Sequence, residues 1–440
     1  MDNRAAMQRP EKSAPIFPAV LASSLGWALD LFDLFILLYV APVVGKLFFP
    51  SEYPTLSLAA VYASFAVTLF MRPIGSALFG SYADRRGRKG AMILAVTGVG
   101  VATALFGALP TIQQAGLLAP LLFMVLRLVQ GIFVGGVVAS THTIGTESVP
   151  PYWRGAVSGL VGGGGSGIGA LIASLAYFAT TEAFPGDAYE VWGWRFMFFS
   201  GILSSIFGLF IFNKLEESPI WAELRVKRTA MKEAQAAQAP IRTLFSRAYL
   251  PLFLVNLLMT FGAGGGYYLT SGYLPTFLKV VNALSTKSTS LILIASSAFA
   301  IFVCVAIGHL STFWGRKRVL LIMAALRLVG LPLCFLGMAA SKDTNILLAF
   351  ALLLTFLGNA GYAPLLVFLN ERFPTALRST GTGLSWNIGF AIGGVMPTLV
   401  SLAAPTMQHL PMVLAAFTFG IGVLYLIGAI IIPETRGNFR

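Results

Sequence analysis

The sequence predicts an all-α polytopic membrane protein, with twelve transmembrane helices in two pseudo-symmetric six-helix bundles. Three observations predict it. The composition is 57% hydrophobic and 11% charged, with a mean hydropathy of +0.80, whereas soluble domains are about 25% charged. Apolar runs of roughly 20 residues, the length that spans a bilayer, recur along the whole chain. Loop signatures of the first half return in the second.

Taken in order, apolar runs fall near 17–43, 56–82, 91–110, 116–144, 155–180, 194–214, 247–278, 288–313, 318–339, 345–370, 379–404 and 411–432. The polar stretch before the first lacks the short apolar core and cleavage site of a signal peptide. "GSYADRRGRK" follows the second run, "ESVPPYWRG" the fourth and the acidic "TEAFPGDAYE" the fifth. The longest polar stretch, Lys214 to Arg247, follows the sixth. The chain is therefore read as a bundle at 1–214, a linker at 215–246 and a bundle at 247–440. "GHLSTFWGRK" then follows the eighth run, "ERFPTALRS" the tenth and "IPETRG" the twelfth, so Gly80 recurs as Gly308 and Glu147 as Glu371. Such a duplication puts the ligand site between the halves near the membrane midplane.

Loop charges give an orientation. One side holds Arg85, Arg86, Arg88, Lys89, Arg154, seven Lys/Arg between Lys214 and Arg247, Arg316, Lys317, Arg318, Arg372, Arg378, Arg436 and Arg440. The other offers Lys46, Arg195, Lys279, Lys287 and Lys342. The positive-inside rule then places both termini in the cytoplasm, in an inner or plasma membrane. The net charge of +13 is thus a topology signal, and no nucleic-acid partner is expected. Cys304 and Cys334 lie inside apolar runs and read as packing residues. Three scattered histidines make no metal site. No nucleophile–base constellation points to an enzyme, no cofactor is implied, and no appended soluble domain suggests a receptor.

The pattern at Gly80, Asp84, Arg85, Gly87, Arg88 and Lys89 resembles the gating motif of the major facilitator superfamily, with Glu147 and Arg154 in the companion loop. The resemblance covers essentially the whole chain. It implies two bundles rocking about a central site, with this loop stabilising the outward-facing state. In the second copy Thr312 replaces the aspartate, so a weaker gate is expected there. "FDLF", "FAVTLFMRPIGSALFG", "LRLVQGIFVGG", "WGWRFMFF", "LEESPIW" and "YLPTFL" resemble the metabolite–proton and sialate–proton symporter branches, which mostly import organic acids with protons. The paired glutamines of sugar porters are missing from "FGAGGGYYLTSGYLP", and the proline-containing motif of drug antiporters is missing from helix five.

Asp30, Asp33, Arg72, Arg127 and Arg327 fall well inside predicted spans. A central charge costs about 2.5–3.5 kcal/mol, so each needs a partner or a wet cavity. At 1.5 Å per residue, Asp33 and Arg127 both lie about 15 Å from the outer end, and Arg72 lies about 18 Å above Asp84, near Asp30. The expectation is an Asp33–Arg127 pair with Arg72 near Asp30. Protonating Asp33 would free Arg127 to hold an anionic substrate. In the family resemblance these two match the aspartate and arginine implicated in coupling. A static ion-pair network is the alternative. Arg327 either snorkels or offers a second anion contact. His142 either relays protons or packs.

"GLVGGGGSGIG" sets Gly155, Gly159, Gly163 and Gly167 at four-residue spacing, a smooth face for close helix contact and sliding. Its nucleotide-like spacing lacks a preceding strand. Gly262, Gly264, Gly265 and Gly266 weaken helix seven, as an outer gate that bends would need. Arg127, Tyr267, Tyr268, Tyr273, Asn359, Tyr362, Trp386 and Asn387 are the candidate substrate pocket, with Arg127 gripping a carboxylate bidentately. The expected function is proton-coupled import of a small organic anion, a carboxylate, by a monomer working through alternating access. An uncoupled facilitator or an exporter is the alternative.

Overall fold

The computed structural model describes residues 16–86, 88–147, 149–214 and 244–438, and every regular element among them is helical. Eleven helices are long and apolar enough to cross a membrane, and the shorter apolar helix Ile93–Ala108 makes twelve. They are α1 Ile16–Phe48, α2 Pro54–Arg86, α3 Arg88–Ala108, α4 Leu118–Glu147, α5 Pro151–Ala183 and α6 Tyr189–Phe210. The second half holds α7 Leu250–Val281, α8 Thr286–Trp314, α9 Arg316–Ala340, α10 Thr344–Arg372, α11 Gly381–Ala403 and α12 Leu410–Ile431. A helix satisfies its own backbone in hydrocarbon, which is why each apolar run resolves as one. Most of the linker read at 215–246 lies outside the described residues.

The halves pack by one plan. In the first, α2 lies along α4, α1 on α4 and α5, and α3 on α4 and α6. In the second, α8 lies along α10, α7 on α11 and α12, and α9 on α10 and α12. They meet chiefly along two seams, α2 with α11 and α5 with α8. The second seam is made by the glycine column. A Cβ on Gly155 would strike the Gly308 carbonyl, one on Gly159 the Cys304 carbonyl, and one on Gly167 the Ile301 side chain. Gly165 and Gly169 turn the other way, against Trp27 and Ala28 of α1.

One hydroxyl crosses this region. α10 is interrupted by a turn over 361–364 before its helix resumes at Leu365. There the Val367 N–H donates to Ser158 Oγ of α5 (2.9 Å), which in turn donates to the Ala363 carbonyl (3.4 Å). Ser158 thus sits between an amide and a carbonyl four residues apart, groups that an unbroken helix would join directly.

The glycines of α7 behave differently from expectation. The helix runs regularly through them to Tyr267 and widens into π turns only afterwards, at Tyr268–Gly272 and Phe277–Val281. Gly262, Gly264 and Gly266 instead give room to Tyr425, Phe390 and Arg327. Their smallness serves packing here.

Contacts close both ends of the bundle. Away from the termini, Tyr62 of α2 stacks on Tyr273 of α7 (centroids 5.0 Å apart), and their hydroxyls bond Thr276 and Ser401. Lys287 pairs with Glu182 across α8 and α5 at 3.3 Å, in solvent. At the termini end, Trp153 stacks on His309 at 5.2 Å. The second copy of the loop signature is tied to its own half there. Arg316 binds Glu371 through Nε (3.2 Å) and Nη2 (3.1 Å), with both side chains nearly sealed from solvent. Thr435 donates to the same carboxylate, and Glu434 accepts the Arg316 and Lys317 backbone amides. Glu371 is the counterpart of Glu147, so the position of Asp84 is left without a carboxylate in this copy. Of the first copy, Gly87 and the side chains at Gly80, Asp84, Arg85, Arg88, Lys89 and Glu147 lie outside the described residues, as does that of His142. Arg154 is half-buried at the start of α5.

Two outcomes follow from this packing. Gly159→Leu in a Cys334→Ser background will wedge α5 from α8 and speed maleimide labelling of buried Cys304 by roughly tenfold, the effect of about 1.4 kcal/mol on a two-state balance. An unchanged labelling rate would show that this seam does not open. Glu371→Ala will lower stability by about 3–5 kcal/mol, because it strands a buried guanidinium. Glu182→Ala, at an exposed pair, will cost no more than about 1 kcal/mol. Thermal unfolding in detergent reads both.

Candidate functional site

The charged site starts on α1, where Asp30 and Asp33 lie one turn apart and both are buried. Arg72 of α2 grips Asp30 with both terminal nitrogens, Nη1 to Oδ2 at 3.1 Å and Nη2 to Oδ1 at 3.2 Å. A fork-to-fork pair of this kind fixes orientation as well as charge. The Asp30 side chain is 1% exposed and that of Arg72 10%. Arg72 Nε has no hydrogen-bond partner among the described residues.

Asp33 and Arg127 lie near enough to feel each other's charge but form no ion pair, which corrects the direct pair expected from depth. Asp33 accepts a bond from Ser204 of α6 at 3.1 Å, and its Oδ1 has no partner within hydrogen-bond distance among the described residues. Arg127 donates to Gln130 at 2.6 Å, Gln130 donates to Thr103 of α3 at 2.7 Å, and the guanidinium lies over the Phe106 and Phe123 rings at 4.2 and 5.2 Å. Rings partly replace an anion for a buried cation. Equal depth on two helices does not set the direction in which side chains point, and here Arg127 turns toward α3. Gln130 was legible in "LRLVQG", one turn after Arg127. Ser204 and Thr103 carried no signal that separates them from other hydroxyls in apolar helices.

Two small cavities lie between the halves, each of about 20 Å³, room for little more than one water. The first is lined by Arg72, by the rings of Trp27, Tyr267, Tyr268, Tyr362, Trp386 and Phe390, and by Asn387. The second lies among α1, α5, α7, α8 and α10, and its polar lining includes Tyr39, Ser166, Ser296, Ser297, Thr355 and Asn359. Tyr267 lines both. Its ring stacks on Tyr362 (5.4 Å) and its hydroxyl bonds Ser166.

Of the pocket residues read from the sequence, Tyr267, Tyr268, Asn359, Tyr362, Trp386 and Asn387 line these cavities. Arg127 and Tyr273 line neither; Tyr273 belongs to the closure at the end away from the termini. Arg327 neither snorkels nor meets a cavity. It is buried, donates to the Gly262 carbonyl at 3.3 Å and lies 4.7 Å from the Tyr425 ring centroid. Trp27, Phe390, Ser296 and Thr355 were not foreseen. A paired serine in the apolar run "LIASSAFA" was the one visible hint of the second cavity.

Comparison with known proteins fits this architecture. A sequence profile of the Major Facilitator Superfamily matches residues 13–398. The inner membrane metabolite transport protein YhjE of Escherichia coli K12 is 27% identical over 423 residues, covering 95% of this chain and 94% of its own. The proline/betaine transporter of the same strain is 28% identical over 425 residues, covering 96% and 84%. Among solved structures, a D-xylose–proton symporter superposes with a TM-score of 0.72 at 20% identity, covering 96% of this chain and 99% of its own. That likeness establishes the fold. With the family profile running over most of its length, this chain belongs to the Major Facilitator Superfamily, whose members are membrane transporters and not enzymes.

Proposed function

We propose that the protein is a proton symporter that imports a small organic anion, a carboxylate, by alternating access. The observation that carries this reading is the Asp30–Arg72 pair, one member of which lines the cavity between the halves. A solute carboxylate has the same shape and charge as the Asp30 side chain, so the two compete for one guanidinium. When the solute wins, Asp30 is left as a bare carboxylate in an apolar wall, and such a group persists there only if neutralised. A proton supplies that neutrality. The empty site holds one carboxylate and one guanidinium. The loaded site holds a protonated Asp30, the guanidinium and the solute anion. The net charge of this pair and its ligand is zero in both, which is why proton and anion travel together. Asp33, one turn along with one oxygen unpartnered, is the second proton-carrying group. Arg127 is assigned to holding α3 and α4 together behind it.

In this reading the bundles at 1–214 and 247–440, joined through 215–246, rock about the two seams, and the gating residues Gly80 to Lys89, with Glu147 and Arg154, brace one state. The working unit is a monomer in an inner or plasma membrane, with the termini cytoplasmic, as the loop charges support. Binding only biases the two states, and the proton gradient gives direction. Resemblance to proline/betaine transporters supports a small solute, and the fold is one that a D-xylose–proton symporter also has. A second reading, a zwitterion with both a carboxylate and an ammonium group, is favoured by the six rings beside Arg72, since aromatic faces attract such cations.

The test uses proteoliposomes loaded with a pH-sensitive dye and challenged with carboxylates, glycine betaine and neutral sugars. Internal acidification is expected with carboxylates or the zwitterion and not with sugars. Asp30→Asn will abolish acidification and cost about 3–5 kcal/mol of stability by stranding Arg72. Asp30→Asn combined with Arg72→Gln will recover most of that stability yet remain uncoupled. Wild-type counterflow without acidification would make the protein a facilitator. Acidification by the double variant would remove the pair from coupling.

A further inference from the structure

We propose that the cavity on the far side of Tyr267 is a second, uncharged subsite of the same substrate path, and that it takes the hydroxylated end of a carboxylate held by Arg72. This rests on the carboxylate reading above and narrows its substrate class to acids carrying hydroxyl groups beyond the carboxylate.

The chemistry of the two cavities differs. The first has a guanidinium and rings. The second has no charged residue in its lining but many hydrogen-bonding groups, among them Tyr39, Ser166, Ser296, Ser297, Thr355 and Asn359. Some of these are already satisfied: Tyr39 bonds Ser174 at 2.9 Å, and Asn359 donates to the Thr355 carbonyl at 2.9 Å. Two are not. Ser296 Oγ is buried in a residue 4% exposed and has no partner among the described residues. Asn359 Oδ1 meets only the Cys304 thiol, at 4.0 Å, a weak donor. Native interiors rarely leave such groups unmet. A ligand hydroxyl would satisfy both, donating to Asn359 and accepting from Ser296.

Tyr267 is the partition. It touches both cavities, and its hydroxyl is anchored by Ser166 alone among hydrogen-bonding side chains. A substrate hydroxyl that replaces the Tyr267 hydroxyl at Ser166 would release the ring and join the two spaces. An acid without hydroxyls offers nothing for that exchange and leaves the neutral groups unpaired, which is how sites built to bond a hydroxyl reject analogues lacking one.

Hexanoate and gluconate form a matched pair, six carbons and one carboxylate each, without and with hydroxyls. Their dissociation constants are measured by titration calorimetry on the full-length protein in nanodiscs. We expect gluconate to bind at least about tenfold more tightly than hexanoate, Ser296→Ala to shrink that ratio several-fold, and Tyr267→Phe, which removes the hydroxyl competing for Ser166, to keep or raise it. Equal binding of the two acids by the wild type, or a ratio untouched by Ser296→Ala, would overturn the subsite while leaving the carboxylate reading intact. Binding of neither acid would overturn both. A folded state for each variant is checked by its thermal unfolding midpoint, and Ser296→Thr, which keeps the hydroxyl, should keep the gluconate preference.

Discussion

A buried Asp30 beside a buried Arg72 constrains every helix around it. Two opposite charges in an apolar bundle are tolerable only in contact, and contact at 3.1–3.2 Å through two bonds requires α1 and α2 to hold register within a fraction of an ångström. α2 is held by its long contact with α4, and α1 by α4 and α5. The ring cluster on the cavity side keeps water away from the pair: Trp386 stacks on Phe390 at 4.4 Å, and Trp27 meets Trp386 edge-on at 5.5 Å. Exclusion of water strengthens that pair, since charges interact far more strongly out of water.

The seams between halves answer a different need. In the proposed cycle they come apart, and they are built largely from groups with little to lose. The glycine column of α5 presents backbone to backbone, and the exposed Lys287–Glu182 pair adds little. The strong ion pairs, Asp30–Arg72 and Arg316–Glu371, each lie within one half. Buried charge is thus paired inside each half, and the contacts between the halves are small, aromatic, single hydroxyls or solvent-exposed.

Much of the fold was legible in the sequence because membrane helices announce themselves by length and composition. All twelve predicted runs correspond to helices of the structure, and the doubled loop signatures match its repeated packing. The site was legible only in part. Depth along a helix follows from residue counting, and it correctly brought Arg72 to the level of Asp30. Direction around the helix axis does not follow from counting, so Asp33 and Arg127 share a level and do not touch. Composition named the rings of α7, α10 and α11, but it could not tell Tyr267, which divides the cavities, from Tyr273, which closes one end. Thr312 shows a missing charge that sequence comparison of the two halves finds, whereas the bond of Arg316 to Glu371 on another helix is visible only in the structure.

The hydroxyl of Ser158 carries a consequence for the energetics of the cycle. It borrows a place in the hydrogen-bond ladder of α10, taking the Val367 amide and leaning on the Ala363 carbonyl. Withdrawing α5 leaves that amide and carbonyl four residues apart on the same chain, the spacing of an ordinary helical bond. An α10 freed of Ser158 can close that bond within itself, so the Val367 amide keeps an acceptor if α5 withdraws. The Tyr362 hydroxyl, which donates to the Gly162 carbonyl of α5 at 3.1 Å, is the bond at this joint that such a withdrawal would break.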